Sequence, residues 1–203
     1  MLAMACAGSA TDFASLLPPP QGARVAIVLF QDLQWADCVT AYPVVRQIAQ
    51  AYNIPLVVRD FPLPRHNWSF EAAVDARFFD EKSQKLGDDF RGYILQNQAQ
   101  IADESGLQKY AEKFAAERQM TLPAVVDPTG RLARKVRADF ILGQRLGLEH
   151  TPTVFVVSAG KVSPPMVELV NRERLGRIIE DMQKTAAPAS TVRAPAKQRK
   201  QSR

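Results

Sequence analysis

The sequence VAIVLFQDLQWADC, at residues 25–38, decides the fold of this protein. Its first part, Val25 to Phe30, is an unbroken apolar run, which is typical of a strand covered on both faces of a sheet. From Ala36 to Tyr52 the apolar residues recur at helical spacing and predict a helix with one apolar stripe, which Pro43 is expected to kink. We therefore expect a buried strand that leads through a short polar turn into a long helix.

The rest of the chain continues this alternation of strand and helix. Further strands are predicted at Leu56–Arg59, at Thr153–Val157 and from Lys161 onward. Helices are predicted at about Trp68–Ala99 with a break near Gly87, at Gly106–Met120, from beyond Pro128 to about Leu146, and from a cap at Asn171 to Lys184. This order gives β-α-β, a helical insertion at about residues 68–147, and β-β-α, which places the protein in the α/β class.

The net charge of +5 comes from one end of the chain. The segment Thr185–Arg203 has five basic residues and no acidic residue, whereas the rest of the chain carries 21 of each sign. Those five are Arg193, Lys197, Arg199, Lys200 and Arg203. Because this segment shows no apolar periodicity, we predict a disordered basic tail at residues 185–203. The remainder of the chain is neutral, so no specific nucleic-acid partner is expected.

The first 22 residues are expected to precede the folded domain, which is predicted at residues 23–184. Met1 to Ala10 are small and apolar and resemble the end of an export signal, although they lack its positively charged start. The alternative is a disordered leader with an incidental cysteine at Cys6. Pro18 to Pro20 then form a stiff connector. No apolar run is long enough for a transmembrane segment, and none is predicted.

Cysteine and histidine are scarce in this sequence. The two cysteines, Cys6 and Cys38, are too few for a disulfide framework. The two histidines, His66 and His150, are too few for a histidine-rich metal site. We therefore predict no metal site and no cofactor.

Three separated segments carry a resemblance to a known family. The stretch FQDLQWADC at residues 30–38 resembles the active-site segment of the DsbA-like thioredoxin-fold family, in which Phe-x-Asp-x-x-Cys-Pro-x-Cys opens the first long helix. The stretch RDFPLP at residues 59–64, with His66, is similar to that family's second strand and turn. GLEHTPT at residues 147–153 is similar to its cis-proline loop. The resemblance covers roughly residues 23–184 and implies a thioredoxin fold with a helical insertion between its two halves.

The chain departs from the family pattern at the first active-site cysteine. Trp35 occupies the position of that nucleophile and Ala36 that of the following proline, so that only the second cysteine, Cys38, remains. Dithiol exchange requires one thiolate that attacks and a second thiol that resolves the mixed disulfide. We therefore expect a degenerate W-x-x-C site in a binding or folding-assistance module. The alternative is a thiol-disulfide oxidoreductase or monothiol enzyme that acts through Cys38, with Cys6 or a partner's thiol.

The resemblance also implies a peptide-binding surface and a cellular location. Thr151 and Pro152 would form a cis peptide bond whose backbone could pair with an extended peptide or an unfolded protein. Trp35 could anchor such a peptide or instead plug the former active site. The resemblance to this family implies a periplasmic or other extracytoplasmic location.

The other polar residues of these segments have simpler interpretations. Cys38 is expected on the buried stripe, where desolvation and Asp37 would raise the pKa of its thiol. His66 is interpreted as structural rather than as a proton carrier. If His150 acted as a base, it would have no nucleophile nearby except Cys38. Asp32 and Asp37 are expected to cap the first long helix and to stabilise its dipole.

Overall fold

Five strands form one mixed sheet in the computed structural model, which describes residues 10–186. The strands are β1 (Val25–Gln31), β2 (Leu56–Asp60), β3 (Thr153–Ser158), β4 (Lys161–Val162) and β5 (Met166–Val167). Their order is β2-β1-β3-β4, and β5 pairs with the beginning of β3. Strand β2 is parallel to β1, and all other pairs are antiparallel. The predicted export-signal remnant, Cys6 and most of the predicted tail lie outside the described residues.

Seven helices lie in the described part of the chain. They are α1 (Ala10–Leu16), α2 (Ala36–Ala51), α3 (Ser69–Lys82), α4 (Gln84–Asn97), α5 (Glu104–Ala116), α6 (Arg131–Arg145) and α7 (Arg172–Thr185), with a short 3-10 turn at Gln98–Gln100. Helices α3 to α6 form the predicted insertion between β2 and β3, so the α/β class and the place of the insertion are confirmed. Helix α2 continues through Pro43 to its end. None of these helices has the length and apolar character that crossing a membrane requires.

The first strand is buried on both faces, as its apolar run predicted. Every second residue from Val25 to Leu29 points into a core shared with α2, α7 and the insertion helices. Every second residue from Ala26 to Phe30 points to the opposite face, where α1 and α6 cover the sheet. The turn that follows β1 is therefore held at one end of a strand that packing fixes on both sides.

The break between the first two insertion helices lies at Ser83, and the predicted break near Gly87 was wrong. The Ser83 side chain accepts a hydrogen bond from the backbone N–H of Leu86 (3.1 Å) and caps α4. Gly87 lies inside α4, where a Cβ atom would come within 1.8 Å of the Asp80 carboxylate. The glycine thus permits close packing of α4 on α3. From the sequence alone, the same glycine is interpreted as a helix breaker.

Helix α1 lies within the segment expected to precede the domain and was not predicted as a helix. Phe13 packs edge-on against Phe155 of β3, with ring centroids 6.3 Å apart, and Leu17 is buried beneath the sheet face. A helix this short has too few turns to show a clear apolar period in the sequence.

The last part of the fold agrees with its predicted cap. The Asn171 side chain accepts a hydrogen bond from the Arg174 N–H (2.8 Å) and begins α7. The fourth strand is short, and a fifth strand that the sequence did not indicate follows it along β3.

Candidate functional site

Trp35 immediately precedes α2, and three side chains contact its ring. It is the N-cap residue of the helix, with an extended backbone (φ −100°, ψ 129°) and no side-chain cap of its own. The indole Nε1 donates to Asp37 Oδ2 (3.1 Å), the ring stacks on His66, and the Arg65 guanidinium lies 4.5 Å from the ring centre. The ring is half-buried, so part of its surface faces solvent.

Asp32 is a buried carboxylate that ties the turn after β1 to the turn after β2. Its two oxygens accept hydrogen bonds from the backbone N–H groups of Gln34 (2.8 Å) and Leu63 (2.7 Å). The His66 Nδ1 atom lies 2.6 Å from Oδ2, and the Ser69 hydroxyl donates to Oδ1. The expectation that Asp32 caps α2 was wrong, because the N-cap is Trp35 and the Asp32 oxygens accept from the two turns and from Ser69. Asp37 does lie in the first turn of α2, as expected.

Gln34 adds a second link between the same two turns. Its side-chain amide donates to Asn67 Oδ1 (2.8 Å), and its side-chain oxygen accepts from the backbone N–H of Trp68 (2.9 Å). Sequence analysis missed the roles of Gln34, Arg65, Asn67 and Ser69. Their contribution depends on contact between segments about 30 residues apart, for which no local pattern exists.

Cys38 lies three residues inside α2 and belongs to the core. Its side chain is 1% exposed, and its N–H donates to the Trp35 carbonyl (3.1 Å). Burial raises the pKa of the Cys38 thiol to about 12. The backbone of Asp32 and the Thr151 hydroxyl oppose this rise, while the carboxylates of Asp32 and Asp37 add to it. The thiolate that exchange chemistry needs is thus strongly disfavoured in this position.

The Thr151–Pro152 peptide bond is cis, as the resemblance implied. Both residues are buried, and the Thr151 hydroxyl is one of the groups that lower the pKa of the Cys38 thiol against the effect of burial. The Pro152 carbonyl accepts a hydrogen bond from the Glu168 N–H (2.8 Å). That carbonyl is therefore occupied within the protein.

The two histidines differ in their surroundings. His66 is mostly buried between Trp35 and Asp32. His150 is exposed, with Nδ1 3.1 Å from Glu168 Oε1. Among residues 10–186, no three His, Cys, Asp or Glu side chains are grouped so that they could hold a metal ion.

A cavity of about 350 Å³ opens beside this site. Pro62, Leu63, Pro64, His66, Phe70 and Phe140 form most of its wall. The cavity places apolar surface next to the imidazole on which Trp35 stacks. Its wall also contains the polar side chains Asn67, Glu71, Glu104 and Arg137.

Comparison with known proteins places this geometry in a family. A thioredoxin family model matches residues 20–181. No curated protein sequence matches the chain. Among solved structures, alpha-DsbA1 of Wolbachia pipientis is similar with a TM-score of 0.68 at 17% identity, over 87% of this chain and 96% of that one.

Two further structures share the fold at low identity. The catalytic domain of Proteus mirabilis ScsC has a TM-score of 0.64 at 15% identity, over 82% of this chain and 88% of that one. A thioredoxin-like oxidoreductase from Silicibacter pomeroyi has a TM-score of 0.63 at 20% identity, over 81% and 90%. Together with the cis-proline loop and the helical insertion between β2 and β3, these matches show that the chain belongs to the thioredoxin family and has the fold of its DsbA-like members.

Proposed function

We propose that this protein is a DsbA-like member that binds extended or unfolded polypeptide without dithiol chemistry. The observation that carries the proposal is the pair formed by Trp35 and Cys38. A tryptophan occupies the helix start where exchange needs a thiol, and the one thiol nearby is 1% exposed with a pKa raised to about 12. A site of this composition retains a surface for peptide but lacks both steps of exchange.

Trp35 is the proposed contact residue for peptide. A half-buried indole offers a large contact area at a small cost in side-chain entropy, because its ring is already held by His66, Arg65 and Asp37. Thr151 and Pro152 are the proposed backbone element that binds peptide beside Trp35.

By analogy with its family, we place the protein outside the cytoplasm.

The two tryptophans allow peptide binding to be followed directly. Trp68 is fully buried, with its Nε1 bound to the Ile101 carbonyl (3.1 Å), whereas Trp35 is partly exposed. Quenching of fluorescence by acrylamide therefore reports on Trp35. We expect an unfolded polypeptide, such as a reduced and alkylated protein, to protect this signal, and Trp35→Phe to remove the protected component. If such polypeptides leave the quenching of Trp35 unchanged, the proposal is wrong.

The second candidate is a monothiol enzyme that acts through Cys38. Its support is the position of Cys38, which matches the second cysteine of the family motif beside the cis-proline loop. Turnover of insulin disulfides by the unmodified protein, lost in Cys38→Ser and retained in Cys6→Ser, would favour this enzyme over the binding module.

A further inference from the structure

A groove between α3, α5, the segment 122–127 and the start of α6 lies outside the site described above. A cavity of about 410 Å³ forms most of it. It shares three lining residues, Phe70, Glu71 and Glu104, with the cavity beside His66, so the two cavities adjoin. We call the larger cavity with these shared residues the acidic groove.

Three carboxylates in the acidic groove have no cationic partner. Within the described residues, no ion pair is formed by Glu71, Asp75 or Glu104. By contrast, Glu81, further along α3, is paired with Arg131 and Lys135. The three influence one another electrostatically. Burial and the charge of Glu71 raise the pKa of Asp75 to about 7, and burial and the charge of Glu104 raise the pKa of Glu71. Like charges gathered in this way destabilise the empty groove.

The walls between these carboxylates are apolar. Phe70 and Val74 of α3 face Leu107 of α5 and Leu122, and Val125 is 63% exposed at the rim. An exposed apolar rim around a concave surface is typical of a binding site rather than of a solvated face.

A cation that pairs with these carboxylates would lie between apolar walls, so we expect it to carry apolar groups itself. The three carboxylates are not grouped as metal ligands, as no such cluster occurs in residues 10–186. Among residues 10–186, Arg137 is the one lysine or arginine that lines either cavity, and its guanidinium lies 5.0 Å from the ring centre of Phe70. Ser69 to Asp75 extends about 9 Å along α3, the length of roughly three residues of extended chain.

We propose that the acidic groove binds a polypeptide segment of another protein in which a lysine or arginine is flanked by apolar side chains. This inference rests on the proposed peptide-binding function and names the substrate class. The basic side chain lies among Glu71, Asp75 and Glu104, and the flanking apolar side chains pack against Phe70, Leu107 and Val125. The segment continues through the adjoining cavity toward His66 and Trp35.

The test compares short fluorescent peptides that differ at one residue. A central lysine flanked by leucines is paired with central glutamine, and both are titrated with the full chain by fluorescence anisotropy. We expect the lysine peptide to bind at least tenfold more tightly. The triple variant Glu71→Gln/Asp75→Asn/Glu104→Gln should abolish that preference.

The matched control removes three exposed carboxylates elsewhere. Glu117→Gln/Glu173→Gln/Asp181→Asn removes at least as much negative charge and should keep the preference within twofold, which separates the groove from overall charge. Circular dichroism and thermal melting confirm that both triple variants fold.

Three outcomes overturn the inference. Equal binding of the two peptides, with protection of Trp35 from acrylamide, would contradict the proposed role of the groove and leave the proposed function standing. Absence of binding by either peptide would contradict both proposals. A large gain in lysine-peptide affinity when the five basic residues between Arg193 and Arg203 are replaced by glutamine would show that the occupant is the chain's own C-terminal segment.

Discussion

The indole of Trp35 stacks on the imidazole of His66, with ring centroids 5.5 Å apart and ring planes at 26°. The imidazole is in turn held by the buried carboxylate of Asp32, 2.6 Å from Nδ1. Trp35 is thus part of a chain of contacts that ends in the core. It fills the start of α2 with a positioned aromatic surface.

Restoring the cysteine tests whether only the thiol is missing. In Trp35→Cys on a Cys6→Ser background, the new thiol lies at the N-terminus of α2, where free N–H groups and the helix dipole lower a thiol pKa. It also lies one turn from Cys38. We expect insulin reduction well above that of the parent chain. Trp35→Ser on the same background is the control, and equal rates in both variants would contradict the prediction.

The Cys38 thiol should be almost unreactive in the folded protein. With a pKa raised to about 12 by burial, its alkylation by iodoacetamide in Cys6→Ser should be slow and show no midpoint below about pH 10. In denaturant the rate should rise by orders of magnitude with a midpoint near the ordinary value of about 8.5. Mass spectrometry of quenched samples gives both rates. A native midpoint below 7 would instead support the monothiol enzyme.

Removing the Asp32 carboxylate should destabilise the site and loosen Trp35. Asp32→Ala leaves the His66 ring, the Ser69 hydroxyl and two backbone N–H groups without their acceptor, and we expect a loss of at least about 3 kcal/mol in the free energy of unfolding by urea. Asp37→Asn, which disturbs one partly exposed bond to Trp35, should cost less than about 1 kcal/mol. Similar losses in the two variants would show that Asp32 does not organise the turns.

Asp75 should make stability depend on pH in a defined window. Its pKa is about 7 in the folded protein and about 4 in the unfolded chain, so the folded state holds the proton more strongly. The stability contributed by this group is present below about pH 4 and is lost as pH rises toward 7. Asp75→Asn should therefore raise the melting temperature at pH 8 and leave it unchanged near pH 4. Glu173→Gln, fully at the surface, should show no such difference between the two pH values.

Replacing each of two helical glycines with alanine should change the stability of the protein in opposite directions. A Cβ atom on Gly143 of α6 would lie 2.4 Å from the Phe61 ring, so Gly143→Ala should destabilise the protein by about 1–3 kcal/mol. On Gly92 of α4 the nearest side-chain atoms are 3.8 Å away, so Gly92→Ala should stabilise it by about 0.5–1 kcal/mol. Urea unfolding of both variants gives the comparison, and a loss in Gly92→Ala would contradict it.

The sequence alone was enough for most of the order of elements, although α1 and β5 were not predicted. A strand covered on both faces and a helix with one apolar stripe leave periodic patterns within a single segment, as in Val25–Phe30 and α2. The cap at Asn171 is equally local. The motif around Cys38 and the Thr151–Pro152 pair could be recognised because each occupies adjacent positions in the chain.

Only the tertiary structure decided what surrounds these residues. The sequence presented Asp32 as a helix cap and Gly87 as a helix breaker, whereas Asp32 binds a turn more than 30 residues away and Gly87 accommodates Asp80 of another helix. Glu71 and Glu104 likewise share a groove only because α3 and α5 pack together. Hydrogen bonds, close packing and electrostatic repulsion act through space, so they depend on which distant segments the fold brings into contact.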